Sequence, residues 1–325
     1  MELNNAVILP EIEPLSFEVG GMEAIGSNVI LFPDSDLKEF LPEFETQSNT
    51  YFDTWGCVSH SFENALEALI TRQDFENNEW LLKNIYKQGR PNFSDRDLVV
   101  LSGTKPSVGN SGNQVLARAK QNGLISQDFE DWDNKSRDPK NTVELYYAYA
   151  RTPEAEVKAK EFNDRFEIVG TWVQRDNIEE AMKTGAVQVY VNAWHKNNDG
   201  KYYNPTGNHN HAVLACGYKY KEIYDTYNPR IKQLSSWNDI YSWALKINII
   251  EKTMSKPNIK QNSLVMLVEG SGGIGLFLDD KIIEDDTAKI LAVYIARNAS
   301  GGEFNNAPVV SLTQAQWDLF DKRKL

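Results

Sequence analysis

The sequence predicts an α+β fold with a further small β unit towards its C-terminal end. Three features carry that expectation. The first half holds helical periodicity closed by glycines. The second half holds short apolar runs of strand length. A polar stretch with a proline then precedes the last such runs. The chain has 325 residues, 41% hydrophobic and 25% charged, enough for one large or two small domains with a sizeable core.

Residues 1–36 mix apolar residues with Pro and Gly, as in Leu9-Pro10, Gly20-Gly21 and Phe32-Pro33, and read as an extended arm with one or two short strands. A helix is expected after Cys57, because Phe62, Ala65, Leu66, Leu69 and Ile70 fall on one stripe, with Asp53 and Thr54 placed to cap it. A second helix is expected over roughly 76–88 with Gly89 ending it, and a third over roughly 114–122 closed by Gly123. The polar region of about 126–165 reads as surface helix and loop. Asp176-x-x-Glu179 looks like a capping box for a short helix that stops at Gly185. Strands are expected over 187–194, 211–218 and 222–227, then a helix leading into a strand over 237–250. Residues 252–262 contain Pro257 and read as a linker. Beyond it come strand-like runs over 264–269, 274–278 and 289–295, and a helix opened by Ser311-x-x-Gln314. Gly270 to Gly275 is Gly-rich but lacks the Lys-Ser/Thr of a phosphate loop, so it reads as a hairpin turn. The expected division is an arm over 1–36, a main domain over 37–255 and an accessory β-rich module over 256–325, which could bind a protein or assembly partner.

Composition excludes several classes. Lys+Arg of 34 against Asp+Glu of 46 gives a net charge of −12, which argues against nucleic acid or an anionic membrane as the main partner. No apolar run is long enough to span a bilayer, and the first residues lack the pattern of a secretory leader, so neither is expected. Four His and two Cys lack metal-ligand spacing, and no metal or cofactor is expected. Two cysteines cannot make a disulfide framework, so each needs an explanation from chemistry or packing.

Cys57 stands at the start of the first expected helix, where backbone N–H groups favour a thiolate. A lone Cys is otherwise a small buried hydrophobe, which is the reading for Cys216 inside an apolar strand. His211 opens a strand from which it could reach a thiolate across a cleft, and His209, two residues earlier, is its rival as base. Asn228 or Asp225, on the next expected strand, could hold the second ring nitrogen of His211. His60 shares a helix face with Cys57 and reads as a core or groove-wall residue.

Several segments together resemble the papain-like cysteine peptidases, over about 37–250. Trp55-Gly56-Cys57-Val58-Ser59-His60-Ser61 stands where that family has Gly-Ser-Cys-Trp-Ala-Phe-Ser. Ser94-Asp95-Arg96-Asp97-Leu98-Val99 resembles its Ser-Glu-Gln-x-Leu-Val segment, and Gly109-Asn110-Ser111-Gly112-Asn113 its Cys-Asn-Gly-Gly turn. Lys120-Gln121-Asn122-Gly123-Leu124-Ile125 is similar to its Asn-Gly-Gly-Leu segment. Asn210-His211-Ala212-Val213, followed by Gly217-Tyr218, is the most specific match. His211 lies 154 positions after Cys57, and Asn228 lies 17 after His211, in the family's order.

The resemblance implies a two-lobed papain-like fold, with the Cys on a helical lobe and the His and Asn on a β-barrel-like lobe. It implies hydrolysis of peptide bonds in a protein or peptide substrate through Cys57 as nucleophile, His211 as acid and base, and Asn228 as the orienting residue. Ser111, Gly112 and Asn210 would line the substrate groove. The family's oxyanion Gln stands six residues before its Cys. That place holds Tyr51 here, and Gln47, ten residues before Cys57, would serve through an inserted loop. The family's Trp after the Asn is replaced by Arg230, with Trp237 further on. Glu67 matches a structural Glu. Leu101 lies near, and Gly109 stands at, the family's half-cystine places, which fits a disulfide-free member folding in a reducing compartment, or an outside protein that never relied on disulfides. The Phe52-Asp53-Thr54 approach to the Cys resembles that of divergent papain-like proteins of bacteria and tailed phages, for which a cytoplasmic or virion-associated place is expected. A second reading keeps the fold with little or no activity, as a structural or binding protein such as a virion component. A third is a papain-fold amidase or transglutaminase-like enzyme, in which Asp225 rather than Asn228 would serve.

Overall fold

In a computed structural model of the chain, the described residues are 7–9, 35–42, 46–48, 52–73, 78–87, 89–129, 142–252, 264–267, 274–278, 281–284, 309–312 and 321–324. Two compact units emerge, one of Met1–Arg151 with Glu167–Ile250, the other of Thr152–Phe166 with Glu251–Leu325.

The first unit is built around helix α1 (Cys57–Arg72). The sequence expects one buried stripe on it. In the structure every residue of α1 except Thr71 is buried, polar ones included. The helix is enclosed on several sides, so its polar face meets protein instead of water. Its neighbours include α3 (Asp95–Leu101) and α4 (Gly112–Asn122). Between α1 and α3 run the short α2 (Glu79–Asn84) and a hairpin of β1 (Tyr86–Lys87) with β2 (Arg90–Pro91). The expected second helix is thus cut short, and Gly89, at φ +83°, makes the hairpin turn instead of a helix end. α3 escaped the sequence reading, although Ser94 caps it by accepting from the Asp97 N–H. α4 is closed by Gly123 at φ +67°, as expected. Then comes α5 (Val143–Tyr147).

The other half of this unit is an open six-stranded sheet. It contains β3 (Phe166–Gln174), β4 (Ala186–Val191), β7 (His211–Gly217), β8 (Glu222–Tyr224), β9 (Ile231–Gln233) and β10 (Trp243–Glu251), in the order β3-β10-β4-β7-β8-β9. It is not a closed barrel. A small separate hairpin pairs β5 (His195–Lys196) with β6 (Tyr202–Tyr203). Strand β4 is buried along its whole length because both of its faces are covered. One face packs Val187, Val189 and Val191 with Val213, Ala215, Ile178 and Met182, the last two from α7 (Ile178–Thr184). From the other face Gln188 reaches α1, donating to the Val58 carbonyl at 2.8 Å and to Ser61 Oγ at 2.7 Å. The residue before α7 makes no side-chain cap, so the expected Asp176 box is absent. Residues 237–250, expected as helix then strand, form only a 3-10 turn (Trp237–Asp239) before β10. The fold is α+β and two-lobed, with helices on one side and the sheet on the other.

The second unit contains α6 (Pro153–Arg165), capped by Thr152 with Pro153 in its first turn. It also holds a five-stranded sheet of β11 (Leu264–Leu267), β12 (Ile274–Leu278), β13 (Lys281–Glu284), β14 (Val309–Leu312) and β15 (Asp321–Lys324), in the order β14-β11-β12-β13-β15. β11 and β12 pair antiparallel across the Gly-rich stretch. Ser311, expected to open a helix, lies within strand β14. The strand expected at 289–295, and most of the arm and linker, fall outside the described residues.

Candidate active site

Cys57 is the first residue of α1, after Gly56 as N-cap. The approach is shaped by the residues read as caps. Asp53 accepts from the Trp55 N–H at 2.6 Å, and Thr54 Oγ1 accepts from the Gly56 N–H at 3.3 Å. Neither caps α1 itself. Glycine is needed at 56 because a Cβ there would stand 2.5 Å from Val99 Cγ2.

His211 opens β7, opposite Val191 of β4. Asp225 follows β8 directly. The two are joined by a 2.7 Å hydrogen bond between His211 Nε2 and Asp225 Oδ1, and both are buried. That leaves Nδ1 on the side of Cys57, whose charge acts on the ring. Burial opposes the imidazolium, but the charges of Asp225 and Cys57 overcome it and raise His211 from 6.5 to about 10. Cys57 and His211 are both 0% exposed.

Asn228, expected as the orienting residue, is exposed on the turn beyond. Its place beside the imidazole is taken by Asp225, because β8 ends at Tyr224 and the next side chain leaves the strand end next to the ring. His209, the rival base, is turned away. Its Nε2 lies 3.1 Å from Asn204 Nδ2, its ring meets Tyr241, and burial lowers its basicity.

The second oxygen of Asp225 accepts from Lys232 Nζ of β9, which also donates to the carbonyls of Tyr227 at 2.5 Å and Pro229 at 2.7 Å. The sequence reading missed Lys232. It lies between Ile231 and Gln233, and that triplet carries no pattern that marks it. Trp194 was missed as well. Its ring meets His211 edge-on with centroids 5.2 Å apart. Trp237 stacks on Tyr218 and does not shield the histidine.

Gln47 is buried, and its amide is fully engaged. Its Nε2 donates to Asp53 Oδ1 at 3.2 Å and to Tyr227 Oη at 2.6 Å, and its Oε1 accepts from Thr226 at 2.7 Å. Tyr227 also donates to Asp53, and its ring lies 5.3 Å from that of His211. Gln47 therefore joins the approach to α1 to the loop after Asp225, with no N–H left for a substrate in this arrangement.

The expected groove residues have local duties. Ser111 caps α4 by accepting from the Gln114 N–H. Gly112 is buried, and a Cβ there would stand 2.3 Å from the Tyr190 hydroxyl, so its bareness serves helix-to-sheet packing. Asn210 Oδ1 accepts from the Ala193 N–H at 2.9 Å, bracing the turn after β4. His60 pairs with Asp95 of α3 at 3.0 Å, and Glu67 accepts from the Phe93 N–H at 2.7 Å, both within the core. Neither Cys57 nor Cys216 is in a disulfide. Among the described residues, no group of three or more His, Cys, Asp or Glu could hold a metal ion, and no helix is long and apolar enough to cross a membrane. A cleft of about 460 Å³ lined by Lys38, Lys87, Arg90 and Arg230 involves neither Cys57 nor His211.

No protein-family model matches the chain. A 5'-nucleotidase of Vibrio parahaemolyticus is 30% identical over 122 residues, covering 34% of this chain. The chain spans 22% of the length of that curated relative. Among solved structures, xylellain, a cysteine protease from Xylella fastidiosa, aligns at 16% identity with a TM-score of 0.48, over 76% of this chain and 95% of its own. The digestive procathepsin L 3 of Tenebrio molitor larval midgut aligns at 15% identity with a TM-score of 0.41, over 69% of this chain and 72% of its own.

Proposed function

We propose that the protein is a cysteine-type hydrolase of peptide bonds, a divergent papain-like peptidase acting through Cys57, His211 and Asp225; Asp225 in the third place also favours, as a second reading, a papain-fold amidase or transglutaminase-like enzyme with the same nucleophile and base. The observation that carries the reading is the buried chain in which His211 stands between the Cys57 side chain at a helix N-terminus and the Asp225 carboxylate. The Cys57 thiolate attacks the substrate carbonyl carbon and forms a C–S bond. The His211 imidazolium gives its proton to the leaving amine as the C–N bond breaks. Water, losing a proton to the neutral imidazole, then hydrolyses the thioester and restores the thiolate. The Cys57 backbone N–H at the start of α1 is the first donor to the oxyanion. Gln47 holds the surrounding loops through Asp53, Tyr227 and Thr226 and acts on the site through them.

The test is labelling by an irreversible thiol-directed peptide warhead at neutral pH, together with cleavage of a quenched fluorescent peptide library. Stoichiometric labelling of Cys57 that disappears in Cys57→Ala, with Cys216 retained, is the expected result. A folded protein that takes no label and cleaves no peptide would sink the reading.

A further inference from the structure

We propose that Lys232 is a positioning residue of this site: it fixes the Asp225 carboxylate and offsets part of its charge, so that His211 meets a held and weakened counter-ion. The inference rests on the cysteine-hydrolase reading and goes beyond it by assigning a fourth member to the site.

A buried lysine is costly unless it is met on all sides. Lys232 is 2% exposed, while its strand neighbours Ile231 and Gln233 are half-buried. Its three acceptors are Asp225 Oδ2, the Tyr227 carbonyl and the Pro229 carbonyl. Three acceptors match the three N–H groups of an ammonium and would leave a neutral amine one short. The Trp194 ring closes the remaining side, 4.7 Å from Nζ, and the same ring meets His211. The two carboxylate oxygens of Asp225 are thus divided between base and cation.

The chemistry gives this division a purpose. A carboxylate in a dry site raises the pKa of the imidazolium it accepts from, and the higher that value, the weaker the drive to hand the proton to a leaving amine. A carboxylate shared with an ammonium pulls less hard on the imidazolium, and that ammonium is itself tied to the loop by the Tyr227 and Pro229 carbonyls. The charged and titratable groups that face His211 are Cys57 from α1 and Asp225 from the end of β8, with the Tyr227 phenol alongside. Asp53 accepts from the Tyr227 hydroxyl, and Lys232 is lowered by burial, an effect that the Asp225 charge and hydrogen bond oppose and the charge of Lys196 of β5 adds to.

The experiment compares Lys232→Met, Asp225→Asn and the double variant with wild type. Lys232→Met is expected to raise the alkaline limb of kcat/KM by about one pH unit and to lower kcat/KM at pH 7 by roughly 10- to 100-fold. Asp225→Asn is expected to lower the limb. In the Asp225→Asn background, removing the lysine is expected to recover activity, because it then removes an unpaired buried cation. A loss of similar size in both backgrounds, with unmoved limbs, would show Lys232 to be a packing residue and overturn the inference. If Lys232→Met alone fails to fold, the comparison of Asp225→Asn with the double variant decides, a further loss overturning the inference. An NMR titration of the His211 imidazole in the wild-type and variant proteins reads the same shift without turnover. A protein that cleaves no peptide and takes no warhead ends the peptidase reading. The imidazole titration still judges Lys232, an upward shift in Lys232→Met supporting it and an unchanged one refuting it.

Discussion

Replacing Asp225 by alanine separates the two residues that the sequence offers as partner to His211. Asp225 is 1% exposed and bonds His211 through one oxygen and Lys232 through the other. Its removal leaves the Lys232 ammonium, 2% exposed, with two carbonyls and no counter-charge. Breaking a buried ion pair from one side costs about 3–5 kcal/mol. At about 2–4 °C per kcal/mol for a domain of this size, Tm should fall by roughly 6–20 °C. The imidazole also loses the bond that sets its tautomer, so labelling of Cys57 by the peptide warhead should slow by roughly 10²–10⁴-fold, measured where the variant is still folded. Asn228→Ala removes an exposed side chain and should stay within about 0.5 kcal/mol of wild type with an unchanged labelling rate. Thermal melts by circular dichroism and labelling followed by intact mass supply both readouts. The reasoning is refuted if Asn228→Ala slows labelling as much as Asp225→Ala, or if Asp225→Ala leaves melting and labelling as they were.

Other expectations follow from the same geometry. Glu63 on α1 is held well above the ordinary carboxylate range by burial, then by the charges of Asp95 and Glu67. Its folded pKa exceeds its unfolded value of 4.5, so its contribution to stability is present below that value and lost as pH rises. Glu63→Gln should therefore raise Tm at pH 8 and much less near pH 4, and an offset equal at all pH values would contradict the assignment. For His211, raised to about 10, the stabilising contribution is complete below 6.5 and lost as pH rises through about 10. The alkaline limb of peptide hydrolysis should accordingly lie far above 6.5, and a limb at the free imidazole value would show that the Asp225 and Cys57 charges do not act on it. Gly56→Ala forces a methyl to within 2.5 Å of Val99 Cγ2 at the cap of α1. It should cost about 1–3 kcal/mol in urea melts and slow Cys57 labelling, whereas an unshifted midpoint would show the cap to be pliant. The Cys216 thiol is pushed up by burial, then by the charges of Glu222 and Asp36. Peptide mapping after brief alkylation at neutral pH should find label on Cys57 alone.

The parts legible in the sequence are those that local pattern determines. The stripe from Phe62 to Ile70 marks α1 because its apolar residues recur at helical spacing whatever surrounds them. The burial of Ser59, His60, Glu63 and Glu67 on the other faces depends on α3, α4 and the sheet, and no window of α1 reports it. α3 carried a readable cap in Ser94-x-x-Asp97, but its seven residues are too few for periodicity to speak. Cys57 and His211 could be named because each opens an element. Choosing between Asp225 and Asn228 depends on where β8 stops, and a strand of three residues gives no boundary signal of its own. Lys232 lies on another three-residue strand, where alternation has no room to show, and only its cross-strand place opposite Ile223 reveals it. Gln47 could be named from its place before Cys57, but its partners Asp53, Thr226 and Tyr227 show only in the contacts across the fold.

The placing of Asp225 and Lys232 has a consequence for how the protein wears out. β9 is the outermost strand of its sheet, three residues long, and pairs with β8, itself only three residues. Short outer strands open locally at a small fraction of the free energy of global unfolding. The acid-base partner is therefore anchored to the part of the sheet readiest to fray, while the nucleophile sits at the head of a fully enclosed helix. On warming, hydrolysis should fail before the far-ultraviolet signal does, and amide exchange at 231–233 should track that loss. The thermal ceiling of function would then be set by six residues at a rim, and strengthening the core would not raise it.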